Sequence, residues 1–280
     1  QYRAFITAHS HKAIAHYRTK IQAADDSAHL SFDRGCVYFK AQQIEKAKRD
    51  FQLAIKKKPG HFKASMGLAE LKYIFLAEYD VRELCDAAIL GDQECQAYGL
   101  KIRAMLNFRE NKIGAARNDI RDLMSLAGED PKTNLTVCRL LRSIGEFELA
   151  IKILTTLIQN KPKGSNLFRE RGECLAAIGC NALALKDFKK HLQQCRADLP
   201  VLLKSAELAI QEDRVELAQR RLKRALRLNL GRDDEIYLIR SRAFLCADDL
   251  SKALQDCEAS IGSNATNPEV AALLATATAT

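Results

Sequence analysis

Small and apolar residues recur along this chain at a nearly fixed interval. Steps of 34 or 35 residues lead from one small or β-branched residue to the next, and an apolar residue follows four positions after each. The first members of these pairs are Ala13, Ala47, Val81, Ala116, Ala150, Ala184, Ala218 and Ala253. The second members are Tyr17, Phe51, Cys85, Ile120, Leu154, Phe188, Leu222 and Cys257. Because residues four apart lie on one face of a helix, the pattern predicts a tandem array of helices.

The polar positions complete amphipathic helices within each interval. In the segment 215–227 the basic side chains fall on the face opposite the apolar ones. The apolar side chains are Val215, Leu217, Ala218, Leu222, Ala225 and Leu226, and the basic ones are Arg220, Arg221, Lys223, Arg224 and Arg227. No alternating run of β-branched residues competes with this pattern, so an all-α fold is predicted.

Proline and glycine mark where these helices begin and end. Pro59, Pro131, Pro162, Pro200 and Pro268 are separated by 72, 31, 38 and 68 residues, close to one or two repeat lengths. Proline is excluded from helix interiors, so it is expected at repeat boundaries. Leu-Pro at 199–200 after Asp198 predicts the start of a helix, and Gly145 and Gly179 predict turns between helices.

The segment 28–61 carries the fullest set of signature residues. In the order G-x-x-Y, A-x-x-x-F and P, they are Gly35, Tyr38, Ala47, Phe51, Ala54 and Pro59. In these residues and this period the chain resembles the tetratricopeptide-repeat family over nearly its whole length. The resemblance implies a right-handed α–α solenoid of about seven to eight helix-turn-helix repeats.

The repeat phase gives the domain organisation. Residues 1–27 are predicted to form a partial repeat, mostly its second helix, and residues 268–280 to begin a further helix with a frayed tail. Between them we predict seven full repeats in one continuous array: 28–61, 62–96, 97–130, 131–164, 165–198, 199–233 and 234–267. Since both ends fall inside repeats and lack capping helices, we expect a segment of a longer array or partners that cover the ends.

Composition narrows the function classes. The 280 residues are 47% hydrophobic and carry a net charge of +9, which is too apolar for a disordered chain. No apolar run approaches the ~18–20 residues of a membrane span. The nine cysteines form no CxxC pair, and without a secretory signal they indicate reduced thiols packed in the core. A cytoplasmic or other reducing compartment is therefore expected, with cytoskeletal or ciliary association as one possibility.

No catalytic or cofactor-binding constellation stands out in the sequence. Glycine-rich phosphate loops, nucleophile elbows and H-E-x-x-H helices are absent from it, so a non-enzymatic protein without a cofactor is predicted. The cluster of His9, His11 and His16 lacks the i, i+4 spacing of helical zinc ligands, so no metal site is predicted. His191 stands where a core alanine stands in the first repeat, and a packed histidine is expected there.

The resemblance implies that function lies on the concave face formed by the first helix of each repeat. Its aromatic part is predicted to be Phe32, Phe39, Tyr73 and Phe108. Its basic part is predicted to be Lys101, Arg109, Lys132, Arg139, Arg142 and Arg169. Aromatic and arginine side chains dominate binding hot spots, so we expect a peptide or helix of a partner protein with apolar anchors and acidic residues. The alternative is that these side chains pack between helices or are merely solvated.

Two other functions remain open from the sequence. The chain could be a structural spacer in a large assembly, such as ciliary, axonemal or trafficking machinery, with neighbouring subunits at its ends. Binding of RNA is less favoured, although Lys56, Lys57, Lys58 and the 220–227 face are basic, because 35 acidic residues are interspersed with the cations.

Overall fold

A computed structural model describes residues 28–75, 81–128, 130–160, 166–228 and 233–261, together with residues 15, 16 and 19. Over these ranges the chain forms helices and turns and contains no strand. The helices in the first half are α1 (Ala28–Lys40), α2 (Ile44–Lys57), α3 (Phe62–Ile74), α4 (Arg82–Ile89), α5 (Gln93–Arg109), α6 (Ile113–Ala127) and α7 (Pro131–Ser143). Those in the second half are α8 (Phe147–Gln159), α9 (Asn166–Ala177), α10 (Asn181–Gln194), α11 (Leu199–Gln211), α12 (Val215–Leu226), α13 (Asp233–Leu245) and α14 (Leu250–Ile261).

Within each of the two compact units described below, consecutive helices pack against each other as hairpins. This confirms the predicted all-α solenoid, with about seven repeats where seven to eight were predicted. Five of the seven predicted repeat ranges contain two whole helices among the described residues, whereas α5 begins four residues before the predicted start at 97 and α13 one residue before the predicted start at 234. The predicted partial repeat at 1–27 and the predicted helix at 268–280 lie outside the described residues, apart from residues 15, 16 and 19. The chain divides into two compact units, residues 1–145 and 146–280, so α7 belongs to the first unit and α8 to the second.

The periodic small residues lie at the contacts between helices. Ala47 on α2 is fully buried, and Phe51, one turn later, fills the space between α1 and α3. A Cβ atom placed on Gly35 would lie 2.8 Å from the Phe51 ring, so the helix axes approach as closely as they do only because this position has no side chain. The fifth repeat uses the same arrangement, with 2.6 Å between a Cβ on Gly172 and the Phe188 ring.

The helices begin and end where the proline and glycine residues of the sequence predict. Asp198 accepts a hydrogen bond from the backbone N–H of Val201 at the start of α11, and Pro200 lies in the first turn. Gly145 and Gly179 have φ values of +83° and +79°, the left-handed conformation that a turn after a helix requires. The predicted boundary and both predicted turns are therefore confirmed.

Cysteine packs in this fold as a small hydrophobic residue. Five of the nine thiols are buried, at Cys85, Cys95, Cys138, Cys174 and Cys257. Burial raises the pKa of the Cys85 thiol to about 12. A thiol with such a pKa stays protonated at neutral pH and is a poor nucleophile.

A buried ion pair joins the two helices of every second repeat. In each of these repeats an arginine on the first helix donates two hydrogen bonds through Nε and Nη2 to an aspartate 16 residues later on the second helix. We call these pairs the arginine–aspartate forks: Arg34–Asp50, Arg103–Asp119, Arg171–Asp187 and Arg240–Asp256. The aspartates are at most 5% exposed, and the guanidinium neutralises each of them.

The second repeat lacks a fork. Leu68 and Leu84 stand at the equivalent positions. An apolar pair fills the same place between helices without a buried charge. The forks therefore recur every 68 or 69 residues, twice the length of the basic repeat.

Across the described residues, every helix is too short or too polar to traverse a lipid bilayer.

Candidate functional site

The first helices of the repeats in the first unit lie side by side, α1 beside α3, α3 beside α5 and α5 beside α7. We call the surface they form the first-helix face. All the predicted groove residues except Arg169 lie on these four helices.

The aromatic residues near the start of this face are partly engaged in packing. Phe32 is half-buried, and its ring centroid lies 5.8 Å from that of Phe51 and 5.1 Å from that of His61. Phe39 is also half-buried and meets Phe75 edge-to-face at 5.4 Å. Phe32 therefore belongs partly to the core, while Phe39 continues outward to Phe75, whose surface is 51% exposed.

Further along the face, a buried aromatic ring supports a cation. Tyr73 is only 6% exposed, and the guanidinium of Arg109 lies 4.8 Å from the centre of its ring. Such a cation–π contact fixes the arginine in place while leaving its polar edge exposed. Phe108, next to Arg109 in sequence, is 39% exposed. Arg109 and Phe108 thus present a charged and an apolar group at the surface, whereas Tyr73 is buried and orders the guanidinium of Arg109.

A cleft of about 570 Å³ opens between α5 and α7. Lys101 lines it, with its ammonium group 4.5 Å from the centre of the Tyr98 ring, and Lys132 of α7 lines it too. Burial and a hydrogen bond to Glu70 on α3 raise the pKa of Tyr98 above its usual range, so its hydroxyl stays protonated. Glu94 and Asp130 also line the cleft, so its charge is mixed in sign.

The remaining predicted basic residues differ in their surroundings. Arg139 is exposed and Arg142 half-buried on α7. Arg169 lies in the second unit, on α9, and forms ion pairs with Glu173 at 2.9 Å and Asp198 at 3.0 Å. Its charge is thus neutralised within the chain, which makes it a weak candidate for binding an acidic ligand.

One cluster in the second unit has the chemistry of metal ligands. The ligand atoms of His191, Cys195 and Asp198 lie within 4.8 Å of one another. The Asp198 carboxylate is already bonded to His191 Nε2 at 2.9 Å and to Arg169 Nη1 at 3.0 Å. Since a guanidinium beside this carboxylate repels a cation, the cluster is better described as a buried polar network at the start of α11. His191, 1% exposed and hydrogen-bonded, is the packed histidine that the sequence predicts.

The sequence pattern does not predict Phe75, which completes the aromatic contacts of the first-helix face. Phe75 follows the last residue of α3 and has no place in the repeat signature. Only its contact with Phe39 reveals its role.

Comparisons with known proteins support the helical-repeat fold. Residues 203–268 match the family profile described as tetratricopeptide repeat. No curated protein matches this chain in sequence.

Solved structures of low sequence identity share the architecture. The crystal structure of the APC/C hetero-tetramer Cut9–Hcn1 aligns with a TM-score of 0.66 and 16% identity, covering 84% of this chain and 46% of that one. A tetratricopeptide repeat protein from Parabacteroides merdae aligns with a TM-score of 0.61 and 14% identity, covering 86% and 98%. Yeast Tom70 aligns with a TM-score of 0.57 and 16% identity, covering 96% and 58%. The chain thus spans less than half the length of the first of these structures.

Consecutive helical hairpins with a small residue at each contact define a helical-repeat protein. The profile match identifies tetratricopeptide repeats within residues 203–268, and the solved structures show that the chain shares the fold of tetratricopeptide-repeat solenoids. Proteins of this family are generally non-catalytic scaffolds that bind other proteins.

Proposed function

We propose that this protein is an interaction scaffold that holds a partner segment on the first-helix face of its first unit. The observation that carries the proposal is the exposure of large apolar side chains beside fixed cations on that face. Phe75 and Phe108 are 51% and 39% exposed, and Arg109 is held over Tyr73.

These residues have the properties of binding hot spots. An exposed phenylalanine gains up to about 1.5–3 kcal/mol when a partner buries it fully. Arg109 loses little conformational freedom on binding, because its cation–π contact already orders the side chain. A partner with apolar anchors therefore gains affinity at Phe75 and Phe108, and a carboxylate beside them pairs with the guanidinium.

Arg139, on the neighbouring helix α7, extends the basic part of the face. Lys101 and Lys132 contribute less net charge, because Glu94 and Asp130 line the same cleft. The proposed ligand is thus an apolar segment with acidic residues near its Arg109 and Arg139 end. Residence in a reducing compartment and membership of a ciliary or trafficking assembly remain predictions from the sequence.

The test is quantitative affinity capture with a double variant, Phe75→Ser with Phe108→Ser. Partners that use the first-helix face should be reduced about tenfold or more in the capture, as loss of two anchors requires. Leu90→Ser is the matched control, because Leu90 is 77% exposed and follows α4, the second helix of its repeat. That variant should keep the partners.

A second experiment reverses the charge of the face with the double variant Arg139→Glu, Arg142→Glu. The control is the double variant Arg49→Glu, Arg121→Glu, which changes the net charge by the same amount on the second helices α2 and α6. Only the first pair should weaken binding. If both folded variants of the face retain their partners at the level of the unmodified protein, the proposal is wrong and the spacer function is favoured.

A further inference from the structure

The second unit carries a cationic groove on its second helices, far in sequence from the first-helix face. The groove lies between α10 and α12 and has a volume of about 600 Å³. Six basic side chains line it, together with three leucines and a glutamine, and no acidic or aromatic side chain does. The basic side chains are Lys186, Lys189, Arg214, Arg220, Arg221 and Arg224.

The charge of this groove is not neutralised within the described part of the chain. None of the six cations forms an ion pair there. Arg220 donates instead to the carbonyl oxygen of Glu216 on its own helix, at 3.3 Å. Arg224 donates to the carbonyl oxygens of Leu192 and Arg196 at the end of α10, which fixes its guanidinium in the groove.

Arg221 is the most unusual of the six because of its position in the repeat. It lies 34 residues after Asp187, the aspartate of the preceding fork, so a cation stands where that repeat has a buried anion. Ser205 stands at the position equivalent to Arg171 and offers no charge. The Nε atom of Arg221 is buried without a hydrogen-bond partner.

The surroundings of Arg221 make its charge costly. Burial, Arg224 and Arg220 all lower the pKa of its guanidinium. Because arginine remains charged at neutral pH, the electrostatic cost stays in the folded protein until an anion relieves it. A bound anion at this point would supply both the missing acceptor and the missing charge.

We propose that the groove between α10 and α12 is a second protein-binding site that takes an acidic amphipathic helix of a partner. The two helices provide parallel rows of cations, and the half-buried Leu217, above the buried Leu185 and Leu192, provides an apolar contact for one face of such a ligand. Carboxylates match guanidinium groups in charge and geometry. A single-stranded nucleic acid is less well matched, since its bases stack on aromatic side chains and none lines this groove.

A synthetic peptide of about 14 residues, the length of α10, tests the site directly. The peptide carries leucine on one helical face and glutamate on the other, and its binding to the full chain is followed by fluorescence anisotropy in about 0.15 M salt. Lys186→Glu with Lys189→Glu should weaken binding at least about tenfold. Both side chains are exposed, so the folded structure should tolerate the change. Lys186→Gln with Lys189→Gln, a milder variant, should give a smaller loss of the same sign.

Lys223→Glu with Arg227→Glu is the matched control, because both residues lie on or next to α12 outside the groove. This variant should change the affinity less than about twofold. Equal losses in the groove and control variants, or no loss in the groove variants, would overturn the proposal. Tighter binding of oligouridylate than of the peptide, with the same sensitivity to Lys186 and Lys189, would assign the groove to nucleic acid and also overturn it. The Phe75→Ser, Phe108→Ser variant should bind the peptide normally, which separates this site from the first-helix face.

Discussion

At the scale of single residues, Arg103 joins two carboxylates of very different exposure. Asp119, whose side chain is 6% exposed, accepts hydrogen bonds from Arg103 and from Asn107. Asp86, whose side chain is 52% exposed, pairs with the same guanidinium at 2.6 Å. The same cation therefore allows a buried ion pair within one hairpin to be compared with an exposed ion pair to α4 of the preceding repeat.

Asp119→Ala should lower the free energy of unfolding by about 2–4 kcal/mol, because it leaves Arg103 and Asn107 without their buried acceptor. Asp86→Ala removes a solvated partner of the same arginine and should cost less than about 1 kcal/mol. Urea unfolding followed by circular dichroism measures both. Equal losses would show that burial does not govern the strength of this pair.

His61 links pH to the start of α3. Its Nδ1 accepts from the backbone N–H of Ala64, so its Nε2 carries the proton and donates to Nδ1 of His29 at 3.0 Å. Burial and His29 lower the pKa of His61 below its ordinary value of 6.5, with a smaller contribution from Lys58, and a backbone hydrogen bond and Asp33 oppose the shift. The folded state thus favours the neutral ring.

Stability from His61 should be fully present above pH 6.5 and lost as the pH falls through the lowered pKa of the folded state. His61→Asn keeps a side chain that caps helices but does not titrate. Thermal unfolding between about pH 7 and pH 5 should therefore show a smaller fall in Tm for this variant than for the unmodified protein. A fall of the same size in both would mean that another group causes the pH dependence.

At the scale of helices, the periodic pattern predicts the elements well because the same contact is repeated. The alanine and the large residue one turn later set each helix pair, and proline and glycine set the ends. The forks were missed although Arg and Asp recur 16 residues apart, because the basic repeat length hides a feature that returns every second repeat. The contact of Tyr73 with Arg109 and the ion pair of Arg169 with Asp198 could not be predicted, since these partners lie outside the residue's own helix and follow no fixed spacing.

Replacing each of two helical glycines by alanine should change the stability in opposite directions. Gly35→Ala would place a Cβ 2.8 Å from the Phe51 ring, and the displaced ring should cost about 1–3 kcal/mol of stability. Gly114→Ala on α6 meets no atom within 4 Å and should stabilise the protein by about 0.5 kcal/mol. Urea denaturation of both variants measures the difference, and a shift of the same sign for both would contradict close packing at Gly35.

At the scale of the whole molecule, the fold is far better specified by sequence than the binding surfaces are. A net charge of +9 first suggests a nucleic-acid partner. In the structure Arg169 is neutralised by two carboxylates, whereas Arg221, in an apparently ordinary basic run, has none. Charge on such a protein acquires functional meaning only when its partners within the chain are known.

The alternating forks also bear on how the protein could be lengthened or shortened by design. A single hairpin inserted or deleted would place two repeats with a fork, or two repeats without one, side by side. A block of 68 or 69 residues, taken from one fork to the next, would preserve the alternation. The natural building block for engineering this array is therefore a pair of hairpins.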